Sequence, residues 1–321
     1  MSPLLSVVIP MYNEEDALVP LIERLRPVLD AIDEPYEVVA VDDGSRDTTA
    51  QLLLGARRLW PQLRVVRLRR NAGHQAALTA GLHRSFGQYV VSIDADLQDP
   101  PEKIGEMLRL AQRDNLDVIY GIRGDRTSDS FFKRRTAGAY YWLMRRVVGT
   151  WVPRQAGDFR LLSREVVETL KALPEHEPVY RLLVPSLGFP SGEITYGRAE
   201  RVAGSTKYPL ARMLRLAFNS VTGFSAAPLR LATWLGLAAF FFCLLMMVLG
   251  LVAKAGGVTV PGWTSLFVAV LLLGGVQLIC LGLLGEYIGR IYTAVQNRPT
   301  YQVGYDSAEV GQAAVDGEER R

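Results

Sequence analysis

Two long apolar runs near the carboxyl end limit what this chain can become more than any other feature. Leu229 to Ala253 carries one charge, Arg230, near its start, and Trp263 to Leu284 carries none. Each exceeds the roughly 20 residues that cross a ~30 Å hydrocarbon core as a helix. Lipid cannot satisfy an open backbone, so such segments span as helices. The connection Lys254 to Gly262 is too short for a folded domain, which makes the two spans a hairpin. Around its open ends lie Arg212, Arg215, Arg230, Arg290 and Arg298, against a single Lys254 in the connecting loop. Positive charge stays cytoplasmic. The expected placement is the inner (plasma) membrane, multi-pass, with the large amino-terminal part and both termini cytoplasmic. No basic segment followed by an apolar core opens the chain, so no signal peptide is expected.

Composition adds exclusions. A net charge of +3 over 321 residues is too small to argue for nucleic acid. The two cysteines, Cys243 and Cys280, lie inside the apolar runs, which leaves disulfide staples and Cys-based zinc unsupported. His74, His83 and His176 have no metal-ligand spacing and read as ordinary surface or core. Neither a Gly-x-Gly-x-x-Gly fingerprint nor a Walker phosphate loop is present.

From Leu4 to about Tyr120, short apolar runs alternate with helical patterns. Val7–Ile9, Glu37–Val41, Val65–Leu68, Tyr89–Ile93 and Val118–Tyr120 predict strands. Leu18, Leu21, Ile22 and Leu25 recur at helical spacing, as do Ala77, Leu78 and Leu82. Pro20 and Pro27 are expected to kink or end the first of these helices. Strand–helix alternation predicts an α/β fold: a Rossmann-like, mostly parallel sheet with helices on both faces. Beyond it, Glu193–Gly197 suggests a further strand, and Ser163–Leu170 a helix with Ser163 near its cap. Tyr208 to Arg230 has an apolar face with basic flanks, which suits an amphipathic helix in the membrane interface. From about Val303 the tail is polar and without pattern, and disorder is expected.

In open α/β sheets, ligands bind beyond the carboxyl ends of the strands. Three such ends here emit acidic or polar clusters: Pro10-Met11-Tyr12-Asn13-Glu14, Asp42-Asp43-Gly44-Ser45 and Asp94-Ala95-Asp96. Alternate residues on extended chain share a side, so Asp94, Asp96 and Gln98 could converge on one hard cation, although Asp and Pro here equally suit a surface turn. Mg2+ or Mn2+ takes oxygen ligands of this kind together with substrate phosphates. Asp42-Asp43 suits nucleoside hydroxyls or a base, and equally a turn with a helix cap. Tyr12 could stack on a base.

Together these clusters resemble the family 2 glycosyltransferases with the GT-A fold. More narrowly the chain is similar to polyprenyl-phosphate glycosyltransferases, the bactoprenol glucosyltransferases and dolichyl-phosphate mannose synthases. That likeness rests on Asn71-Ala72-Gly73-His74-Gln75-Ala76-Ala77, Gly157-Asp158-Phe159-Arg160-Leu161, Gly204-Ser205-Thr206-Lys207-Tyr208 and Leu284-Gly285-Glu286-Tyr287-Ile288-Gly289-Arg290. The resemblance implies that Pro10, Tyr12, Asn13, Glu14, Asp42 and Asp43 bind the nucleotide. It implies a metal on Asp94, Asp96 and Gln98, and places Asp158 beside Asp96 as catalytic residues, Asp158 at the sugar. Arg201, Ser205 and Lys207 would lie near the acceptor phosphate. The basic stretch Arg123, Arg126, Lys133, Arg134 and Arg135 is a further phosphate-binding candidate.

The implied organisation is a catalytic domain over 1–206, interfacial helices over 207–228, membrane helices over 229–254 and 263–288, and a largely disordered cytoplasmic tail over 289–321. The implied reaction is metal-dependent transfer of one sugar, with inversion, from a nucleotide sugar to polyprenyl (undecaprenyl) phosphate in the cell envelope. His74-Gln75-Ala76-Ala77 and Gly157-Asp158-Phe159-Arg160 look closer to the glucosyl members, which favours UDP-glucose. GDP-mannose and modified-pentose donors stay open. A dianionic acceptor phosphate has little proton to lose, so Asp158 is expected to position sugar hydroxyls, although the family pattern also permits a base. Gly274, Gly275, Gly282 and Gly285 in the second span suit homo-oligomer packing or packing within the hairpin. A processive polysaccharide synthase would carry Gln-x-x-Arg-Trp, and no Arg-Trp pair occurs. An inactive membrane anchor is the non-enzyme alternative, and the intact acidic clusters argue against it.

Overall fold

All seven residues of Leu5-Ser6-Val7-Val8-Ile9-Pro10-Met11 are buried, because this strand is covered on both faces of the sheet. The structure is a computed structural model that describes residues 3–124, 156–175, 178–197, 227–256, 262–296 and 298–309. Within these residues the order is β1 (Leu5–Met11), α1 (Glu15–Asp30), β2 (Tyr36–Asp42), α2 (Thr49–Leu59), β3 (Leu63–Leu68), α3 (His74–Arg84) and β4 (Tyr89–Ser92). Then come α4 (Ile104–Asp114), β5 (Val118–Arg123), β6 (Ala156–Ser163), α5 (Arg164–Ala172), α6 (Tyr180–Ser186) and β7 (Ser191–Tyr196). Last are α7 (Ala227–Ala255), α8 (Trp263–Gln296) and β8 (Val303–Asp306).

The strands form one sheet in the order β7-β5-β6-β4-β1-β2-β3-β8. Pairing is parallel for β1 with β2 and β4, for β2 with β3, and for β5 with β7. β6 runs antiparallel between β4 and β5, and β8 runs antiparallel on β3. The expected α/β fold is therefore present, with one reversed strand in the interior of the sheet. That reversal matters for function. The carboxyl ends of β1, β2 and β4 share an edge, and β6 delivers its amino-terminal residues to that same edge.

Period-two alternation sorts the strand side chains into two cores. Val7, Ile9, Val38 and Ala40 join Leu18, Leu21, Leu25 and Leu29 of α1 and Ile104 and Met107 of α4. Val8, Val39 and Val41 join Leu78 and Leu82 of α3, Val166 and Leu170 of α5 and Tyr180 of α6. Truncating a leucine such as Leu21 to alanine in this packing is expected to cost ~2–5 kcal/mol. A Cβ on Gly81 would lie 2.2 Å from Val8 Cγ1, so only glycine lets α3 sit this close to β1.

Two expectations need correction. α1 runs unbroken through Pro20 and Pro27. Its buried Leu18, Leu21, Leu25 and Leu29 contribute ~1.5–3 kcal/mol each, which outweighs about 3 kcal/mol per interior proline. The segment expected as a disordered tail from 289 is helical through Gln296 and then supplies strand β8. Asp306 of β8 is buried against Arg64 (2.7 Å) and Arg84 (2.8 Å), a pairing between distant residues that leaves no local pattern. Ser163 does cap α5, accepting from the Val166 N–H at 3.4 Å. Most of the expected interfacial segment 207–228 lies outside the described residues.

The described residues divide into two compact units, and 299–309 belongs to the globular one. The other holds α7 and α8, whose segments Pro228–Ala253 and Leu272–Gln296 are long and apolar enough to cross a membrane. Trp234, Phe240, Phe241, Leu272 and Ile279 are exposed on them, as lipid-facing side chains would be. The 34 residues of α8 reach roughly 50 Å at 1.5 Å per residue, well beyond a ~30 Å core. Near its end Glu286 and Arg290 form an i,i+4 pair at 2.9 Å.

Candidate active site

The turn after β1 and the turn after β2 are stitched together by backbone donors. Asn13 adopts φ 54°, a left-handed conformation that asparagine tolerates. Its N–H donates to Ser45 Oγ (3.0 Å), and its Oδ1 accepts from the Arg46 N–H (2.9 Å). The Glu14 N–H donates to Thr49 Oγ1 at 2.9 Å. Gly44 sits at φ +69°, and a Cβ there would lie 2.7 Å from the Arg70 carbonyl carbon. Only glycine fits this turn. Pro10 is inside β1, and Tyr12 stands 38% exposed at the rim, where a planar group could stack on it.

Asp42 and Asp43 are buried, and their oxygens are largely occupied. Asp42 Oδ1 accepts from the Ser45 N–H (2.9 Å). Its Oδ2 faces Arg67 Nε across 3.1 Å as an ion pair without an aligned hydrogen bond. Asp43 accepts from the Ala72 N–H (2.7 Å) and the Gly73 N–H (2.8 Å), and so ties the loop before α3 to the end of β2. Burial raises the Asp43 pKa, while these two bonds pull it back.

The turn after β4 is built differently. β4 ends at Ser92, and Ala95-Asp96 form a turn followed by Leu97 at φ 58°. The segment is not extended, so the expected alternate-residue convergence of Asp94, Asp96 and Gln98 does not arise that way. A left-handed leucine costs on the order of 1–3 kcal/mol, and burial of its side chain in the core holds it there. Gln98 is buried, and its N–H donates to Asp96 Oδ1 at 3.1 Å. Asp94 and Asp96 are half-buried. Burial pushes the Asp94 pKa up to about 6; Asp158, Asp99 and Asp96 push it further, and His74 opposes them. Asp94, Asp96 and the Gln98 amide offer hard oxygen donors, the set Mg2+ or Mn2+ prefers. Among the described residues no group of three or more His, Cys, Asp or Glu side chains is arranged to hold a metal ion.

β6 completes the edge. Asp158 Oδ1 accepts from Arg160 Nη2 (2.5 Å), and Oδ2 lies 3.2 Å from His74 Nε2 and 3.5 Å from Gln75 Nε2. Its carbonyl accepts from the Ser92 hydroxyl, which fastens β6 to β4. Burial disfavours the Asp158 charge, yet the His74 bond and the charges of Arg160, His74 and Arg181 hold its pKa far below the carboxylate range. Burial alone would lower the His74 pKa; its bond to Asp158 and the charge of Asp94, 3.7 Å away, raise it instead. His74 is thus no ordinary surface histidine, because it bridges the turn after β4 and the start of β6.

The structure brings together Asp94, Asp158 and His74 at one corner of the edge, and Asn13, Glu14, Asp42 and Ser45 at another. Arg123, expected near an acceptor phosphate, is already tied to buried Asp99 (3.1 Å), which also accepts from the Tyr196 hydroxyl. Arg126, Lys133, Arg134, Arg135, Arg201, Ser205 and Lys207 lie outside the described residues. His74, Gln75, Asp99 and Arg160 were missed as site residues by sequence reasoning. For Arg160 a signal existed, since it stands two residues from Asp158 on a strand and therefore on the same face.

Residues 6–171 match the sequence profile of glycosyl transferase family 2, and residues 227–291 match that of the GtrB C-terminal hairpin. The chain is 40% identical over 302 residues to the uncharacterized glycosyltransferase YkcC of Bacillus subtilis (strain 168), covering 93% of this chain and 92% of that one. It is 38% identical over 301 residues to the bactoprenol glucosyl transferase of Shigella phage SfII, covering 92% of this chain and 96% of that one. Among solved structures, glucosyl-3-phosphoglycerate synthase from Mycobacterium tuberculosis has a TM-score of 0.50 at 21% identity, over 68% of this chain and 78% of that one. This last likeness is one of fold.

Proposed function

The chain belongs to glycosyl transferase family 2, and from that premise we propose that it moves one glucose, with inversion, from UDP-glucose to polyprenyl phosphate at the cytoplasmic face of the plasma membrane. The observation that carries the reading is the crowding of Asp94 by Asp96, Asp99 and Asp158 at the ligand-binding edge of the sheet. Such a cluster calls for a divalent cation and, with it, a diphosphate. The name of the Shigella phage relative supports a bactoprenol acceptor and a glucosyl group. Two membrane-length helices support an acceptor that resides in the bilayer. Packing of the glycine-bearing second span against further copies belongs to the same proposal.

Asp94, Asp96 and Gln98 would hold Mg2+ or Mn2+, which when bound neutralises charge on the leaving diphosphate. Asp42 and Tyr12 would receive the nucleoside, with Asn13 and Glu14 fixing the turn beneath it. Asp43 keeps the loop before α3 in place. The acceptor phosphate oxygen forms a bond to the anomeric carbon as the bond to the nucleoside diphosphate breaks, and the leaving group keeps the electron pair. With a second pKa near ~6 the acceptor is already largely dianionic, so no strong base is required. Arg123, Arg126, Lys133, Arg135, Arg201, Ser205 and Lys207 are proposed to draw that phosphate from the membrane surface.

Membranes holding the protein, incubated with polyprenyl phosphate and a panel of labelled nucleotide sugars, test the proposal. A chelator-sensitive, charged lipid-linked glucose is the expected product. No lipid-linked product from any donor would overturn it, and a mannosyl or pentosyl product would replace the donor.

A further inference from the structure

Arg160 is 2% exposed, yet among the described residues its guanidinium reaches two acceptors, the Gly157 carbonyl (3.1 Å) and Asp158 Oδ1 (2.5 Å). Its Nε and Nη1 are buried without a hydrogen-bond partner. Leaving two donors of a buried cation idle is expensive, and an apolar side chain of similar size would pack the same space at lower cost. Leu162, on the same face of β6, and Tyr120 and Tyr180 belong to the hydrophobic core cluster, and the charge of Arg181 acts against that of Arg160. Fold stability therefore does not account for an arginine here. The one anion it meets among the described residues is Asp158.

Asp158 is held from the opposite side as well. His74 Nε2 and Gln75 Nε2, on the first turn of α3, both face Oδ2, whereas Arg160 holds Oδ1. Three donors from two elements fix the carboxylate plane at the edge where β4 and β6 meet. The side chain is still 24% exposed, which leaves part of the carboxylate open to a ligand. A carboxylate clamped by a buried guanidinium accepts hydrogen bonds and does not take up a proton readily.

We infer that Arg160 is a positioning residue: it fixes Asp158, from the buried side, as an ionised acceptor for the donor sugar's hydroxyls. The inference rests on the glycosyl-transfer reading above and adds that the sugar half of the donor is recognised through Asp158, set by Arg160. The nucleotide half is held elsewhere on the edge.

Calorimetric titration of the full-length protein with UDP and with UDP-glucose, both in Mn2+, separates the two halves. In wild type, UDP-glucose should bind more tightly than UDP by about tenfold, a step of ~1.4 kcal/mol. Arg160→Met and Asp158→Asn should each erase that difference while leaving UDP affinity within about twofold. The double variant should lose no more than either single change, because the two act through one contact. Arg160→Lys, which retains the charge, should recover part of the difference and guards against an Arg160→Met protein that fails to fold. Equal weakening of UDP and UDP-glucose would assign Arg160 a structural role and overturn the inference, as would unchanged UDP-glucose affinity or additive losses in the double variant. A wild type that binds UDP but gains nothing from the glucose overturns it too, with the transferase reading intact. A wild type that binds neither ligand overturns both.

Discussion

Two acidic turns leave the same edge of this sheet, and they treat their carboxylates in opposite ways. After β2, Asp42 and Asp43 are buried and accept from the backbone donors of Ser45, Ala72 and Gly73. After β4, Asp94 and Asp96 are half-buried, and Asp94 is surrounded by other acids. The first turn is fastened mainly by backbone donors, whereas in the second Asp96 accepts from the Gln98 N–H and Asp94 lies 3.7 Å from His74. On the proposed reading, similar residue types on similar strand ends divide into a fastening and a receptor.

Breaking the receptor turn should have the largest effect. Asp96→Asn should lower transfer by ~10²–10³-fold, the scale of removing one directed electrostatic contact. Its melting temperature should hold or rise, because a repelling charge is gone. Breaking the fastening turn should do the reverse. Asp43→Ala removes two hydrogen bonds to a carboxylate and leaves two N–H groups idle, so thermal denaturation should show a loss of ~2–4 kcal/mol. Any loss of activity in that variant should track the folded fraction.

The smallest effect is a pH signature. The folded-state pKa of Asp94, about 6, lies above the ordinary 3.8. Its contribution to stability is therefore fully present below about pH 4 and lost as pH rises through about 6. With chelator present, wild type should lose roughly 1–2 kcal/mol relative to Asp94→Asn between pH 4 and pH 7, a figure reduced for partial exposure. Mn2+ at pH 7 should restore the difference. A wild type and Asp94→Asn pair with parallel pH profiles would mean that the receptor turn is not crowded.

Much of this was legible in the chain. β1 to β5 and α3 announce themselves through apolar period and turn residues, since they are covered by the sheet's own helices. β6 was not legible as a strand, because a charged residue, Arg160, occupies an interior position and is explained only by Asp158. β8 was not legible either; Asp306 is buried by Arg64 and Arg84, which are distant in sequence. Asp94 and Asp96 stand out in the sequence on an extended geometry that the turn at Leu97 replaces. His74 was set aside as an isolated histidine. Its neighbours Asp94 and Asp158 come from two other elements, a juxtaposition that no local spacing encodes.

Mn2+ binding, followed by electron paramagnetic resonance as UDP is added, tests the division between the two turns most directly. The account predicts that UDP strengthens Mn2+ binding in wild type and in a folded Asp43→Asn protein, and that Asp94→Asn and Asp96→Asn lose this coupling. Coupling that survives in both Asp94→Asn and Asp96→Asn, or that disappears only in the Asp43 variant, would contradict it.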